Sequence, residues 1–227
     1  MPRSEGNMSA LPLDAPPHEV AALLKARKPG CSLPAGFYSS ATVYVADLER
    51  VFGRCWILAG HVSQIPNSGD FFVYELGRES IIVVRDDAGD VRAHANVCRH
   101  RGSRICLESK GYAHALVCPY HGWTYGMDGV LRPRRAMPES FEPSDVRLRS
   151  VQFEVFHGLL FISLGDTPEP FDASALDGPM AAFDLANAQV AAERSYTVGA
   201  NWKLAIGNYH ECYHCVTAHP EYSRIHS

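Results

Sequence analysis

The sequence predicts an α+β fold in which an antiparallel β region is flanked by helical segments. Three observations support this prediction. Apolar residues recur at helical spacing before residue 53, short β-rich runs separated by turn residues fill residues 70–164, and helical spacing returns after residue 201. With 227 residues, 46% of them hydrophobic and 20% charged, the chain is long enough to bury one large or two small domain cores.

The N-terminal residues 1–36 are predicted to form an arm with one short helix. In "HEVAALLKARK" the apolar residues form a narrow stripe, basic residues occupy the last turn, and Gly30 follows. A second helix is predicted over residues 43–52, where four apolar residues recur at helical spacing.

The central part of the chain is predicted to be β-structure. "FFVYEL" and "SIIVVR" are short β-rich runs, separated by three turn residues, and "WTYGMDGVLR" has the pattern of a hairpin around residues 127–129. Residues 151–164 are expected to form two strands that meet at His157 and Gly158. The loops between these strands contain the first group of candidate metal ligands.

A domain boundary is predicted where Pro, Asp and Gly accumulate in "GDTPEPFDASALDGP", residues 165–179. A strand is expected at 188–198 and a helix from Asn201 onwards. The predicted organisation is therefore an arm, a β-rich domain and the beginning of a second α+β domain, with the bounds 1–36, 37–165 and 166–227.

Composition limits the partners and the location of the protein. The net charge of −4, with no basic cluster, gives no reason to expect nucleic-acid binding. Charges and prolines interrupt every long apolar window, so no membrane span is expected, and the N-terminus lacks the apolar region of a signal peptide. Seven cysteines, an odd number, fit a reducing cytoplasm better than a disulfide framework.

The first candidate metal site lies between Asn96 and Trp123, and its ligands form two Cys/His pairs separated by seventeen residues. The candidate ligands are Cys98, His100, Cys118 and His121. A single structural zinc could collect all four, but Cys-x-His leaves one residue between ligands, which is tight for one ion. A two-iron, two-sulfide cluster accounts for the spacing, because each loop then supplies one ligand to each iron, thiolates to one and imidazoles to the other. The sequence therefore favours a [2Fe–2S] cluster over zinc.

"CRHRG" together with "CPYHGW" resembles the motif of Rieske-type non-haem iron oxygenases. The resemblance extends from about Phe37 to the end of the chain. Rieske proteins of respiratory chains carry a disulfide between their two ligand loops, whereas Cys106 is the only further cysteine in this stretch and "CPYHGW" offers it no partner. The resemblance therefore points to the oxygenase branch.

The same family is recognised by a second sequence motif. In this motif a carboxylate residue and a histidine are separated by two residues, and four further residues separate that histidine from a second one. Glu211, His214 and His219 match this pattern. The resemblance implies that the two histidines are ligands of a mononuclear Fe(II) with a two-His, one-carboxylate triad, and that Glu211 is a carboxylate linking a cluster histidine to an iron ligand of the next subunit. On a regular helix Glu211 and His214 would share one face, while both histidines would reach one iron only if the helix ends or distorts between them. Pro220 favours such a distortion at His219.

The third iron ligand of the family comes from far downstream, and only eight residues follow His219. The chain is therefore expected to be the N-terminal half of an oxygenase α subunit. Without the distant carboxylate, the isolated chain is expected to be inactive.

The resemblance implies a terminal oxygenase component. Electrons from NAD(P)H would arrive through a reductase, with or without a ferredoxin, and would cross to Fe(II) in a neighbouring subunit of a homotrimer, where O2 is activated. Hydroxylation of a small aromatic substrate is the expected reaction, and demethylation of a quaternary ammonium compound such as glycine betaine is the alternative. A Rieske electron-transfer protein without oxygenase activity is a third reading, although such a carrier needs no second metal site.

Overall fold

The computed structural model describes residues 17–133 and 140–226, which form two compact units. One unit contains the described residues up to Asp47 together with those from Arg194 onwards, and the other is Leu48–Glu193. The division into functional domains at residues 36 and 165 stays a prediction.

The larger unit contains three antiparallel sheets, as the period-two pattern of the central segments predicts. Their orders are β1-β9-β8, β4-β3-β2-β5 and β6-β7. The strands are β1 (Ile57–His61), β2 (Asp70–Leu76), β3 (Glu79–Arg85), β4 (Val91–Ala95), β5 (Lys110–Tyr112), β6 (Leu116–Val117), β7 (Thr124–Tyr125), β8 (Gln152–Phe156) and β9 (Leu159–Ser163).

Strand β3 is buried on both faces, and its alternating side chains enter two hydrophobic cores. Ile82 and Val84 belong to a core that also contains both candidate cysteine ligands, whereas Ile81 and Val83 pack into a second core with residues of β9. The first core therefore connects the four-stranded sheet directly to the loops that carry the candidate cluster ligands.

Two predicted hairpins are confirmed. β8 and β9 pair through a two-residue turn at His157 and Gly158, both with positive φ (48° and 79°), as in the type I′ turn that suits antiparallel strands. The turn at residues 127–129 brings Tyr125 and Leu131 into a β-bridge. The predicted strands at 71–76 and 80–85 correspond to β2 and β3, paired from Phe71–Val84 to Leu76–Glu79.

The helices lie mainly towards the two ends of the chain. They are α1 (His18–Lys25), α2 (Gly36–Ser39), α3 (Ala41–Asp47), α4 (Ser174–Ala181), α5 (Trp202–His210), α6 (Cys215–Ala218) and α7 (Pro220–His226). The predicted arm helix is confirmed as α1, and the second predicted helix is α3 continued by a π-helical turn over Leu48–Phe52. None of the described helices has the length and apolar character needed to cross a bilayer.

Two expectations about the C-terminal third were wrong. The described residues 188–198 form no strand; they are solvent-exposed and pair with none of the described strands. The helix that begins after Asn201 ends at His210, because the backbone of Glu211 is extended (φ −99°, ψ 103°). Residues 165–179, where the sequence predicts a domain boundary, include the first residues of α4, and the boundary itself stays a prediction.

Candidate metal centres

The first ligand loop, residues 98–103, is a tight loop closed by its own backbone. The N–H of Cys98 donates to the carbonyl of Ser103 (2.8 Å), and the N–H of Gly102 donates back to the carbonyl of Cys98 (3.0 Å). Gly102 has φ +70°, in the left-handed region where glycine is the least strained residue. The loop therefore holds Cys98 at its base and places His100 at its tip.

The second ligand loop, residues 118–123, repeats this construction. The N–H of Cys118 donates to the carbonyl of Trp123 (2.8 Å), the N–H of Gly122 donates to the carbonyl of Cys118 (2.9 Å), and Gly122 has φ +66°. The two loops thus have the same length and the same hydrogen bonds, although the histidine is second after cysteine in one and third in the other. The repeated construction explains how unequal Cys/His spacings produce equivalent ligand positions.

The structure brings the two cysteines together. Cys98 and Cys118 are each 2% exposed and belong to the same core, and the Cys98 side chain lies close enough to Cys118 to affect its pKa. Burial raises the pKa of the Cys118 thiol, but the backbone N–H groups of Tyr120 and His121 and the contacts with Cys98 and Ser103 outweigh burial, so that its pKa lies below the ordinary value. This polar surrounding favours the thiolate, the form that binds metal.

The two histidines also lie together, on the exposed side of the loops. The ring centroids of His100 and His121 are 4.7 Å apart with the planes at 72°. Trp123 stacks on His100 at 4.8 Å and 9°, and the ring of Tyr120 lies 3.9 Å from that of His121. Trp123 therefore packs against one face of a candidate ligand.

The candidate ligands therefore group as two sulfur donors and two nitrogen donors. Two buried thiols side by side suit one iron, and two exposed imidazoles side by side suit a second iron, as in the mixed-ligand [2Fe–2S] arrangement. No group of three His, Cys, Asp or Glu side chains suited to a single metal ion is found among residues 17–133 and 140–226. The donor set fits the two-iron cluster that the spacing predicts.

Tyr125 is a neighbour of this site that the sequence analysis did not identify. Its side chain is fully buried, its hydroxyl oxygen lies 3.3 Å from Sγ of Cys98, and the N–H of Arg99 donates to the same oxygen (3.0 Å). Burial and the contact with Cys98 raise the pKa of Tyr125, so the phenol keeps its proton at neutral pH. The hairpin pattern indicates that Tyr125 faces the core, but its contact with a residue 27 positions away requires the tertiary fold.

Cys106, the third cysteine near this site, is a packing residue. It is half-buried and packs against the core that contains the cluster cysteines. Burial raises the pKa of its thiol to about 11, which keeps it protonated at neutral pH. A neutral, packed thiol has the properties of a small apolar side chain.

The second candidate site lies where the helical segments of the smaller unit change direction. After α5 ends, a 3₁₀ turn over Cys212–His214 leads into α6, and His219 leaves the helical conformation with φ −134° and ψ 61°. The rings of His214 and His219 therefore approach to 5.5 Å between centroids, at 77°. The predicted interruption between the two histidines is confirmed, and Pro220 begins α7 directly after it.

Two features of this site are compatible with a metal ion. Nδ1 of His214 is buried and has no hydrogen-bond partner among the described residues. Both histidines line a cleft of about 960 Å³ together with Asn208 and Tyr222. An unsatisfied buried imidazole nitrogen is costly unless a donor or a cation occupies its lone pair.

Glu211 does not share a helix face with His214, because the helix ends at His210. Glu211 is solvent-exposed at the C-terminal cap of α5, where its N–H donates to the carbonyl of Gly207 (3.1 Å). The helical argument that placed the two side chains on one face was wrong, although the exposed position leaves the carboxylate accessible to another molecule.

A buried ion pair fixes the start of α5. Nζ of Lys203 forms a salt bridge with Asp47 and also donates to the carbonyl of Phe37 (3.3 Å). The indole N–H of Trp202 donates to the same Asp47 carboxylate (3.0 Å). Asn201 caps the helix by accepting from the N–H of Lys203 (3.0 Å). These contacts connect the helix that precedes the candidate iron ligands to α3, a relationship that the sequence pattern does not reveal.

Comparison with known proteins agrees with this geometry. The family model described as Rieske [2Fe-2S] domain matches residues 55–152, and that described as ring hydroxylating alpha subunit (catalytic domain) matches residues 185–227. The chain is 41% identical over 213 residues to the glycine betaine monooxygenase oxygenase subunit of Chromohalobacter salexigens, covering 92% of this chain and 48% of that protein.

Solved structures give the same result. Naphthalene 1,2-dioxygenase from Rhodococcus sp. bound to indole superposes with a TM-score of 0.83 at 30% identity, over 91% of this chain and 51% of that one. A quaternary ammonium Rieske monooxygenase in complex with L-carnitine superposes with a TM-score of 0.77 at 30% identity, over 84% and 56%. The chain spans about half the length of the curated relatives it matches.

The fold and the paired thiols and imidazoles define a Rieske iron–sulfur protein. The additional catalytic-domain match identifies the chain as a member of the Rieske-type non-haem iron oxygenases, in the α-subunit branch. The two matched domains imply a [2Fe–2S] cluster and a mononuclear iron as cofactors.

Proposed function

We propose that the chain belongs to the terminal oxygenase component of a multicomponent Rieske oxygenase. The observation that carries this proposal is that two loops of the same construction place two thiols together and two imidazoles together. A second pair of histidines, beside a cleft, follows later in the chain. The proposed cluster ligands are Cys98, His100, Cys118 and His121, and the proposed mononuclear iron ligands are His214 and His219.

When bound, the cluster supplies single electrons, and the reduced mononuclear iron supplies the site at which O2 is activated. The chain's own residues give these groups their environment. Burial of Cys98 and Cys118 keeps water from the sulfur side, while His100 and His121 leave their rings at the surface, where a partner can approach. The stacked Trp123 holds the ring plane of His100.

Glu211 is proposed to connect the two metal sites across subunits. Its exposed carboxylate can accept hydrogen bonds from an exposed imidazole of a second copy and from an iron-ligand imidazole, orienting both rings. A link of this kind requires a head-to-tail ring of subunits, so a homotrimer is proposed. Electrons from NAD(P)H are proposed to enter through a separate reductase, with or without a ferredoxin.

The proposed substrate is a small quaternary ammonium compound that carries N-methyl groups. The similar curated protein named above is a glycine betaine monooxygenase subunit, and one similar structure holds L-carnitine. The expectation of aromatic-hydrocarbon catabolism is not supported by these relatives, although the naphthalene dioxygenase structure shares the fold. In the proposed reaction, O2, two electrons and two protons convert N–CH3 to N–CH2OH and water. The C–N bond then breaks, the hydroxyl proton is lost, and formaldehyde and the tertiary amine are released.

The experiment uses the native protein with an NADH-dependent reductase. Glycine betaine, L-carnitine and naphthalene are supplied separately, and NADH consumption, formaldehyde and hydroxylated aromatic product are measured. The proposal expects formaldehyde in proportion to NADH with one of the two ammonium compounds. Formation of an aromatic diol without formaldehyde would show that the substrate is aromatic and not a quaternary ammonium compound. Reduction of the cluster without formation of any product would indicate a pure electron carrier.

A further inference from the structure

Asn96 is a fully buried polar residue two positions before the first cluster cysteine. Its side chain is 0% exposed and makes four hydrogen bonds. Oδ1 accepts from the N–H groups of Ile105 (2.9 Å) and Cys106 (2.9 Å), while Nδ2 donates to the carbonyl of Cys106 (2.8 Å) and to Oγ of Ser80 (3.1 Å). A single side-chain amide thus forms hydrogen bonds with backbone groups of Ile105 and Cys106, which follow the first ligand loop in the chain.

These bonds close the segment that contains Cys98 and His100. The chain leaves Asn96, passes through the ligand loop and returns at Ile105 and Cys106, where the Asn96 side chain holds it. Few residues other than Asn can do this, because the bonds need one acceptor and one donor on the same short side chain. Removal of the amide would leave two N–H groups and a carbonyl without their partner.

The same amide is connected to the four-stranded sheet. Ser80, the second residue of β3, accepts from Asn96 and donates from its own hydroxyl to Glu75 of β2 (2.9 Å). Glu75 forms a bidentate ion pair with Arg104 (2.8 and 3.0 Å). Arg104 directly precedes Ile105 in the chain. The loop is therefore anchored to adjacent strands through two routes, a buried one at Asn96 and a half-exposed one at Arg104.

The second ligand loop is closed by strand pairing, because it is bounded by β6 and β7, which pair directly with each other. Its ends are set by the Leu116–Tyr125 and Val117–Thr124 pairs. The first loop follows β4 but does not return as a strand paired with it. A side-chain clamp replaces the missing strand pairing.

We propose that Asn96 is a positioning residue for the first ligand loop, holding Cys98 and His100 where the cluster needs them. The inference rests on the proposed cluster ligation, because the hydrogen bonds of the Asn96 side chain go to Ser80, Ile105 and Cys106, so that it acts on the ligands through the loop. Its role is specific to one loop, which separates it from a general contribution to stability.

The test compares Asn96→Ala with Ser163→Ala, which removes a buried hydroxyl of β9 that donates to the backbone carbonyl of Arg54 (2.9 Å). Amide hydrogen exchange is measured on the native 227-residue chain at Cys98 and Gly102, which Asn96 does not contact, and at Cys118 and Gly122. Asn96→Ala should speed exchange at the first pair about tenfold and leave the second pair unchanged. Ser163→Ala should leave both pairs unchanged.

A second readout uses the reconstituted cluster. Loss of the visible cluster spectrum to a chelator should be about tenfold faster in Asn96→Ala and unchanged in Ser163→Ala. Ser80→Ala, which removes one of the four bonds, should show the same pattern with a smaller change and remains informative if Asn96→Ala fails to fold. Equal acceleration at both loops, or no acceleration at either, would overturn the inference. Absence of a Rieske spectrum in the wild type would instead refute the proposed ligation and leave the exchange test valid.

Discussion

The phenol oxygen of Tyr125 lies 3.3 Å from Sγ of Cys98 and accepts the N–H of Arg99 at 3.0 Å. Because the Arg99 N–H already uses the oxygen as an acceptor, the hydroxyl hydrogen is free to point towards the sulfur. A donor aimed at a cluster ligand stabilises the more negative, reduced state.

Tyr125→Phe should therefore lower the midpoint potential of the reconstituted cluster. A hydrogen bond that favours the reduced state by about 1 kcal/mol corresponds to roughly 40 mV for a one-electron couple. The potential is measured by dye-mediated titration followed by EPR. Tyr112→Phe removes a half-exposed hydroxyl in β5 that contacts His114, and it should leave the potential unchanged. An equal potential in Tyr125→Phe and wild type would show that the hydroxyl does not donate to the sulfur.

His94 should make stability depend on pH. It is 3% exposed, Nε2 is 2.9 Å from the carbonyl of Met127, and Nδ1 has no hydrogen-bond partner in the described part of the chain. Burial lowers the pKa of His94, and the Met127 carbonyl and Asp128 only partly oppose this. The pKa of His94 is therefore lower in the folded protein than in the unfolded protein, where it is about 6.5. As the pH falls below this value, the unfolded state binds the proton more readily than the folded state, so the free energy of unfolding decreases.

Urea denaturation between pH 7.5 and about 5 measures this loss. In the wild type the His94 contribution to the free energy of unfolding should decline by up to roughly 1.4 kcal/mol per pH unit below the unfolded pKa. His94→Gln keeps a donor for Met127 but cannot titrate, so its pH profile should be flatter. His114→Gln, a change at an exposed residue, should follow the wild type. Parallel profiles for wild type and His94→Gln would contradict the assignment.

The Asp47–Lys203 ion pair should contribute strongly to the stability of the smaller unit. The two side chains are only 9% and 14% exposed, and Asp47 also accepts from Trp202. Lys203→Met leaves a buried carboxylate without its cation and should cost roughly 3–5 kcal/mol in the free energy of unfolding. Lys28→Met, at an exposed position, is the matched control. A loss below 1 kcal/mol by denaturant titration would mean that the pair is not buried in solution.

His214 and His219, which flank α6, should be required for the third iron and not for the cluster. His214→Ala or His219→Ala should abolish mononuclear iron binding and retain the Rieske spectrum, since the cluster ligands belong to the other unit. His210→Ala, at the last residue of α5, should bind both groups. Iron is counted by colorimetry beside EPR of the reduced cluster. Retention of the third iron in both His variants would remove them from the ligand set.

Glu211→Gln should leave both metal groups assembled in the native protein and slow electron transfer from the cluster to the mononuclear iron. The charged acceptor that orients two imidazoles becomes a neutral amide, for which a loss of about tenfold or more is expected. Stopped-flow reoxidation of the cluster measures the rate, with Glu193→Gln as an exposed control. Loss of the mononuclear iron in Glu211→Gln would make Glu211 a ligand instead of a link.

The candidate cluster ligands could be proposed from the sequence because their pattern is local. Each Cys/His pair lies in one short loop, and the glycine four residues after each cysteine is where the left-handed turn occurs. The strands β2, β3, β8 and β9 were also predictable, since each has a continuous apolar or alternating pattern with turn residues on both sides.

The remaining features depend on distant contacts. Tyr125 and Cys98 are 27 residues apart, and Lys203 and Asp47 are 156 apart, so no local pattern connects them. The break at Glu211 was missed because the segment from Trp202 to His219 has helical spacing throughout. The Asn96 clamp was missed because a lone asparagine before a ligand loop is an ordinary turn residue until its four partners are known.

The account depends most directly on the ligation of the cluster by two thiols and two imidazoles. The measurement is EPR of the reduced, anaerobically reconstituted chain, with iron and acid-labile sulfide counted on the same sample. The account predicts the rhombic signal of mixed Cys/His ligation, with about two sulfides and about three irons per chain when the mononuclear site is filled, or about two irons when it is empty. One stoichiometric zinc with no acid-labile sulfide, or a signal typical of four thiolates, would contradict it.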